Sequence, residues 1–265
     1  MRHQLPALLF AVTTVPGLAQ DKPIQDNSFF IEEAYNQEPG VVQHIFKYHR
    51  ERSRDWSLTF TQEWPLGGQK HQVSYSVPVQ RAGEHTGAGD VSVDYRYQLK
   101  GGGDAPLAVA PRLSLVLPTG DERKDLGKGG TGIQFNVPLS LVLSERVVTH
   151  WNAGATITPS ARNADGASAR TTDYNLGQSF VWLLRPRLNL LLETVWSSEE
   201  NVEGEGETSR RRSAFISPGV RWAYNLANDL QVVPGIALPI GVGPSRRDYG
   251  VFLYLSFEHP FGRGR

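Results

Sequence analysis

Val91-Ser92-Val93-Asp94-Tyr95-Arg96-Tyr97-Gln98-Leu99 places Val91, Val93, Tyr95, Tyr97 and Leu99 on one parity and Ser92, Asp94, Arg96 and Gln98 on the other. Successive side chains of a strand point to opposite faces, so this stretch has one apolar and one polar face. The same rhythm recurs along the chain. Trp56, Leu58, Phe60 and Trp64 oppose Ser57, Thr59, Thr61 and Glu63, while Ile133 to Leu143 share a parity opposite Gln134, Asn136 and Ser140. Leu188, Leu190, Leu192 and Trp196 face away from Asn189 and Glu193, as do Tyr249 to Phe257 from Ser256 and Glu258. Working outward from these stretches gives about twelve strands, centred on 41–49, 56–64, 71–79, 90–99, 107–117, 131–143, 147–158, 173–184, 188–197, 213–224, 229–240 and 249–261. Each is longer than the usual five or six residues, which suits a tilted strand crossing a bilayer.

The connections alternate. Those at 65–70, 100–106, 144–146, 185–187 and 225–228 are tight, whereas 80–89, 118–130, 159–172, 198–212 and 241–247 are longer and more polar, with 50–55 short for its set. Short turns at the periplasmic end and long loops outside are the pattern of an up-and-down outer-membrane barrel. All six Trp fall on the apolar parity. Trp56 and Trp196 are expected near the outer rim, and Trp64, Trp182 and Trp222 near the inner one, where an indole can sit at the hydrocarbon–water boundary. Trp151 lies nearer mid-strand. The fold class is therefore all-β, a transmembrane antiparallel up-and-down barrel of about 12 strands. Pro78, Pro111, Pro138, Pro218 and Pro234 fall within these strands, where each removes a ladder donor, so they mark bulges or displaced boundaries.

Composition narrows the function. The 265 residues carry 27 Lys+Arg and 27 Asp+Glu, which leaves no basic excess for binding nucleic acid. No Cys is present, so there is no disulfide framework or thiolate site. Residues 1–20 read as a secretory signal peptide, with Arg2, an apolar stretch from Leu5 to Leu18 and small residues before Asp21. The domain reading is signal peptide 1–20, an N-terminal periplasmic or lumen segment 21–40, the barrel 41–261 and a tail 262–265.

The stretch Ile31-Glu32-Glu33-Ala34-Tyr35-Asn36-Gln37-Glu38-Pro39-Gly40-Val41-Val42-Gln43-His44-Ile45 is not dictated by the twofold rhythm. It resembles the opening motif of the outer-membrane proteins grouped under the MetA pathway of phenol degradation. Gly89-Asp90-Val91 and Leu115-Val116-Leu117-Pro118-Thr119-Gly120 are similar to later segments of that family. The resemblance implies a transporter-like barrel in the cell outer membrane that admits small aromatic or apolar compounds. Such proteins commonly finish on an aromatic residue, whereas here Phe261 is followed by Gly262-Arg263-Gly264-Arg265.

Inward parity falls to Glu63, Asp94, Arg96, Arg112, Glu193, Arg221 and Glu258, which can pair across the lumen or line a charge-balanced constriction. Twelve strands lie between the filled interior of eight and the aqueous channel of sixteen. Catalytic signals are poor. The seven His are scattered without a HExxH pattern, no GxSxG elbow occurs, and Gly127, Gly129 and Gly132 match GxGxxG but precede a strand and not a helix. Glu199, Glu200, Glu203, Glu205 and Glu207 lack the spacing of a calcium loop, and neither metal nor cofactor is implied. The expectation is a monomeric channel for facilitated diffusion, with outer-membrane lipid and a small solute as partners. The alternatives are an outer-membrane lipid-modifying enzyme and a soluble periplasmic all-β binding protein.

Overall fold

The computed structural model describes residues 24–25, 27–102, 105–226 and 230–261, so the signal-peptide and tail readings lie outside the described residues. Twelve principal strands follow in order: β1 (Val41–Glu51), β2 (Trp56–Pro65), β3 (His71–Ala82), β4 (Val91–Tyr97), β5 (Arg112–Leu117), β6 (Gly132–Ser144), β7 (Val147–Arg162), β8 (Ser168–Arg185), β9 (Leu188–Gly204), β10 (Glu207–Trp222), β11 (Gln231–Ala237) and β12 (Gly250–Pro260). Each pairs antiparallel with its chain neighbours. The ring closes where β12 pairs with β1 along Val41–Glu51 and Gly250–Pro260. Four short strands complete it: His85–Ala88 folds back on β3, Leu107–Val109 lies on β6, Tyr224–Asn225 on β11 and Ile240–Gly241 on β10.

The twofold rhythm becomes an inside and an outside. Val93, Leu113, Leu115, Ile133, Phe135, Leu176, Leu192, Leu253 and Leu255 are exposed on the outer face. Asp94, Arg96, Ser114, Asn136, Ser140, Asn152, Glu193 and Ser256 are buried on the inner one. An exposed apolar belt around a polar interior inverts the arrangement of a water-soluble sandwich, in which the apolar sides face each other. It matches a ring set in hydrocarbon.

Three expected loops differ: within 80–89, β3 runs to Ala82 and pairs with His85–Ala88 across Gly83 and Glu84, and two further hairpins are extended. Where hydropathy suggests loops at 159–172 and 198–212, the ladder continues: β7 and β8 remain paired out to Arg162 and Ser168, and β9 and β10 to Gly204 and Glu207. Only Glu205 and Gly206 turn the second hairpin, with Gly206 at φ +73. Polar side chains on both faces look like a loop in a hydropathy reading. Beyond the membrane, though, a ladder needs no apolar face, and here opposite charges sit across from one another at Glu199–Arg211 and Glu200–Arg210.

The prolines do not bulge the sheet, but Pro111 does mark a displaced boundary, and each proline sits beside a gap in a ladder. Pro78 adjoins the break between His85–Ala88 and β4, where Gly89 N–H donates to its carbonyl at 2.9 Å. Pro111 lies in the break between Leu107–Val109 and β5, which divides the expected 107–117 strand, and Pro138 of β6 lies opposite that break. Pro218 faces the interruption between Ala237 and Ile240, and Pro234 lies between the Tyr224–Val232 and Arg221–Gly235 pairs. Each proline withholds a donor, but four of the five keep their carbonyl in use: Gly89, Tyr97, Ala110 and Leu238 N–H donate to the carbonyls of Pro78, Pro111, Pro138 and Pro218 at 2.9, 3.0, 3.2 and 3.0 Å.

If the outer belt lies in lipid, Phe135→Arg, at an outer site 53% exposed, should destabilise the folded barrel by about 2–4 kcal/mol in unfolding titrations on lipid vesicles. At a water-exposed site the same change would cost roughly 0.5 kcal/mol or less.

Candidate functional site in the lumen

The lumen is occupied by the chain's own N-terminal segment, residues 27–37. Outside regular secondary structure, a buried segment must still satisfy its backbone N–H groups. Here side chains of the wall do so, nearly one strand at a time. Phe29, Phe30 and Ile31 N–H donate to Glu193 Oε1 of β9 at 3.1, 2.9 and 3.1 Å. Glu32 N–H donates to Asn152 Oδ1 of β7 at 2.8 Å, and Ala34 N–H to Ser140 Oγ of β6 at 2.8 Å. Asn36 N–H donates to Gln98 Oε1 at 3.0 Å, and Gln37 N–H to Gln72 Oε1 of β3 at 2.7 Å. Asn152 and Gln98 also donate back, to the carbonyls of Glu32 at 2.7 Å and Ala34 at 2.7 Å. Two side-chain amides thus stand in for the backbone of a neighbouring strand.

Apolar contacts fix one end of the segment. Phe29 is fully buried against Phe252 and Tyr254 of β12, and half-buried Phe30 packs on Phe252. Gly219 and Gly235 make room for Phe29, since a Cβ on either would come within 2.6 Å of its ring.

The sequence-predicted residues separate into two groups. Glu63, Asp94, Arg96 and Arg112 gather around Glu32 of the segment. Arg96, 2% exposed, donates to Asn36 Oδ1 at 2.8 Å, Glu32 Oε1 at 2.9 Å, Glu33 O at 3.2 Å, Gln72 Oε1 at 3.1 Å and the Tyr35 carbonyl. Glu63 lies 3.9 Å from Arg96, and Arg112 lies 3.4 Å from Glu32 and 3.8 Å from Asp94. Glu193, Arg221 and Glu258 lie apart from this cluster. Glu193 holds the Phe29–Ile31 backbone, Arg221 donates to the Gln25 carbonyl, and Glu258 accepts from Gln43 at 3.0 Å. Inward charge therefore meets the segment more than it lines an open path.

The site residues read from the sequence left out Lys47, Gln72, Asn152 and His150, whose Nδ1 meets Ser140 Oγ at 2.7 Å, and kept Gln98 and Ser140 only as members of a polar face. For Lys47 the signal was available, because Gln43, Ile45, Lys47 and His49 share the inward parity of β1. Trp56 lies at the long-loop end of β2, and Trp64, Trp182 and Trp222 lie towards the short-turn ends of β2, β8 and β10, whereas Trp196, expected at the outer rim, sits at the middle of β9 because that strand runs on to Gly204. Trp64 meets Phe261 edge-on at 5.2 Å.

Burial raises the Glu32 carboxyl, but the Arg112 and Arg96 guanidiniums outweigh it and hold the group below its ordinary value of 4.5. Burial pushes its neighbour Glu33 the other way, upward.

A closed antiparallel ring with an apolar outer belt and a charged interior defines a β-barrel of the outer membrane. The fold is similar to that of an outer membrane channel of Pseudomonas putida F1, at 13% identity and a TM-score of 0.65 over 86% of this chain and 98% of that one. It is also similar to KdgM porin, at 8% identity and a TM-score of 0.51 over 83% of this chain and 99% of that one. The chain belongs to the family described as "Putative MetA-pathway of phenol degradation", whose profile matches residues 41–257. No curated protein matches the chain in sequence.

Glu193→Ala leaves the Phe29–Ile31 amides without their acceptor, at about 1–3 kcal/mol for each buried group. Hydrogen exchange at these amides should accelerate roughly tenfold or more, with the wall strands unchanged. The two segment carboxyls give docking opposite pH limbs. Glu32, lowered when docked, supports docking above its free value and withdraws that support as pH falls through the lowered one. Glu33, raised when docked, supports docking at low pH and withdraws it as pH rises through the raised value. Protease sensitivity of residues 27–37 should therefore increase as pH falls below 4.5, and Glu32→Gln should flatten that acid limb.

Proposed function

We propose that the protein is a monomeric outer-membrane channel for facilitated diffusion of small molecules, held closed at rest by its own residues 27–37. The observation that carries this reading is the lining of the ring. A barrel whose only task was structural would gain most from a packed apolar interior, whereas this one spends its inward side chains on backbone groups of a removable segment. When the segment leaves, Glu63, Asp94, Arg96, Arg112, Glu193, Arg221 and Glu258 become the charge-balanced wall of a water-filled path. The solute class suggested by the family description is a small aromatic or apolar compound. Trp56, Trp64, Trp182, Trp196 and Trp222 fit interface anchors for the surrounding lipid.

No step of this function needs a catalytic residue or a cofactor. Diffusion through a ring requires only that the path be wet, wide enough and intermittently free of the segment.

In planar bilayers the intact protein should spend most of its time in a low-conductance state, and a variant lacking residues 27–37 should open to a larger, long-lived conductance. Glu193→Ala should raise the frequency of openings without changing their size. A deletion variant that inserts as a heat-modifiable barrel but passes no current would overturn the channel reading.

A further inference from the structure

Between the segment and the wall, bounded by β1–β8 and β12, lies a cavity of about 350 Å³. Its apolar side is formed by Phe30, Ile45 and Tyr254, and its polar side includes Lys47, Asp94 and Arg112. The carboxyls that also face it are already engaged. Glu32 is held by Arg96, Arg112 and Asn136, Glu33 accepts from Asn27 at 3.0 Å, and Glu63 lies against Arg96 and Gln37. Lys47 makes no ion pair or hydrogen bond among the described residues. Its charge acts through space on the Glu33 and Glu193 carboxyls but closes an ion pair with neither, and its side chain lines the cavity.

A second set of groups is also unspent. Asp94 is 3% exposed, and its Oδ2 accepts from Ser74 and Ser92 at 3.3 Å. Its buried Oδ1 has no hydrogen-bond partner. Arg112 Nη1 lies 3.8 Å from that oxygen, beyond hydrogen-bond reach. Ser114, directly across the ladder from Asp94 and 2% exposed, has an unpartnered hydroxyl as well. Buried polar atoms left without a partner are costly, so a group that donates to Asp94 and accepts from Arg112 would be favoured in this gap. A hydroxyl does both.

We propose that this cavity is a solute-binding site for a small hydroxylated carboxylate. The carboxylate pairs with Lys47, the hydroxyl bridges Asp94 Oδ1 and Arg112 Nη1, and the apolar body packs on Phe30, Ile45 and Tyr254. The inference rests on the channel reading and deepens it by naming the solute class.

The test is calorimetric titration of the full-length protein in detergent at neutral pH with p-hydroxybenzoate, benzoate and phenol, which carry both groups, the carboxylate alone and the hydroxyl alone. p-Hydroxybenzoate should bind about tenfold more tightly than either of the others, a difference of about 1.4 kcal/mol. Lys47→Met should abolish its advantage over phenol, while Lys47→Arg retains it. Asp94→Ala should abolish its advantage over benzoate. Heat-modifiable mobility on a gel identifies variants that have folded. Equal binding of all three probes, or a folded Lys47→Met variant that still prefers p-hydroxybenzoate to phenol, overturns the proposal. Conductance of the segment-deleted variant is measured without any probe. If that variant conducts while the three probes are not distinguished, the site fails and the channel stands.

Discussion

A peptide N–H or C=O inside hydrocarbon has no water to turn to, and leaving one unpaired costs several kcal/mol. Everything in this barrel follows from how that requirement is met twice. In the wall it is met by closure: β12 returns to β1 along its whole length, so the described strands form a ring. The five prolines sit beside breaks in a neighbouring ladder, where four of them still accept from a backbone N–H. In the lumen it is met differently, because a segment lying inside a completed ring finds no free ladder edge. Side chains take over the role of strand backbone, and Asn152 and Gln98, each both accepting and donating, are the closest approximations to it.

That difference determines what the segment can do. A strand removed from the wall would break a continuous ladder and expose an edge to lipid. Removing residues 27–37 breaks isolated side-chain contacts and leaves every wall pairing intact. The segment is thus the part of the molecule whose stability can be adjusted independently of the ring, in the sense that local units of a fold open at their own free energies. Glu193 and Arg96 matter most to that adjustment, since one accepts from three successive amides and the other touches five groups.

The ring was legible in the sequence because alternation of Val, Leu, Tyr and Phe with Asp, Arg, Gln and Ser has one structural meaning when repeated twelve times. Inward placement of Glu63, Asp94, Arg96 and Glu193 followed from parity alone. What parity could not give was the partner of those charges. Residues 27–37 have no period, since their backbone bonds go to side chains scattered from Gln72 to Glu193. Nothing in the rhythm marks Phe29 or Phe30, whose place is set by Gly219 and Gly235 beside Phe29 and by Phe252 against both rings. The outer hairpins were misread for the converse reason: hydropathy reports the membrane, and β9 and β10 continue past it.

The chemistry of the wall also constrains what can replace the segment. Glu193, Asn152, Ser140, Gln98 and Gln72 present acceptor oxygens to backbone N–H donors. Once those donors withdraw, the same oxygens need water or a solute that donates in turn, because desolvated acceptors without partners are unfavourable. A purely apolar molecule could pass over Phe252 and Tyr254 but would leave this arc unsatisfied. A molecule with an apolar body and a donor at its edge answers both halves of the lumen, and it does so along the path that residues 27–37 already trace.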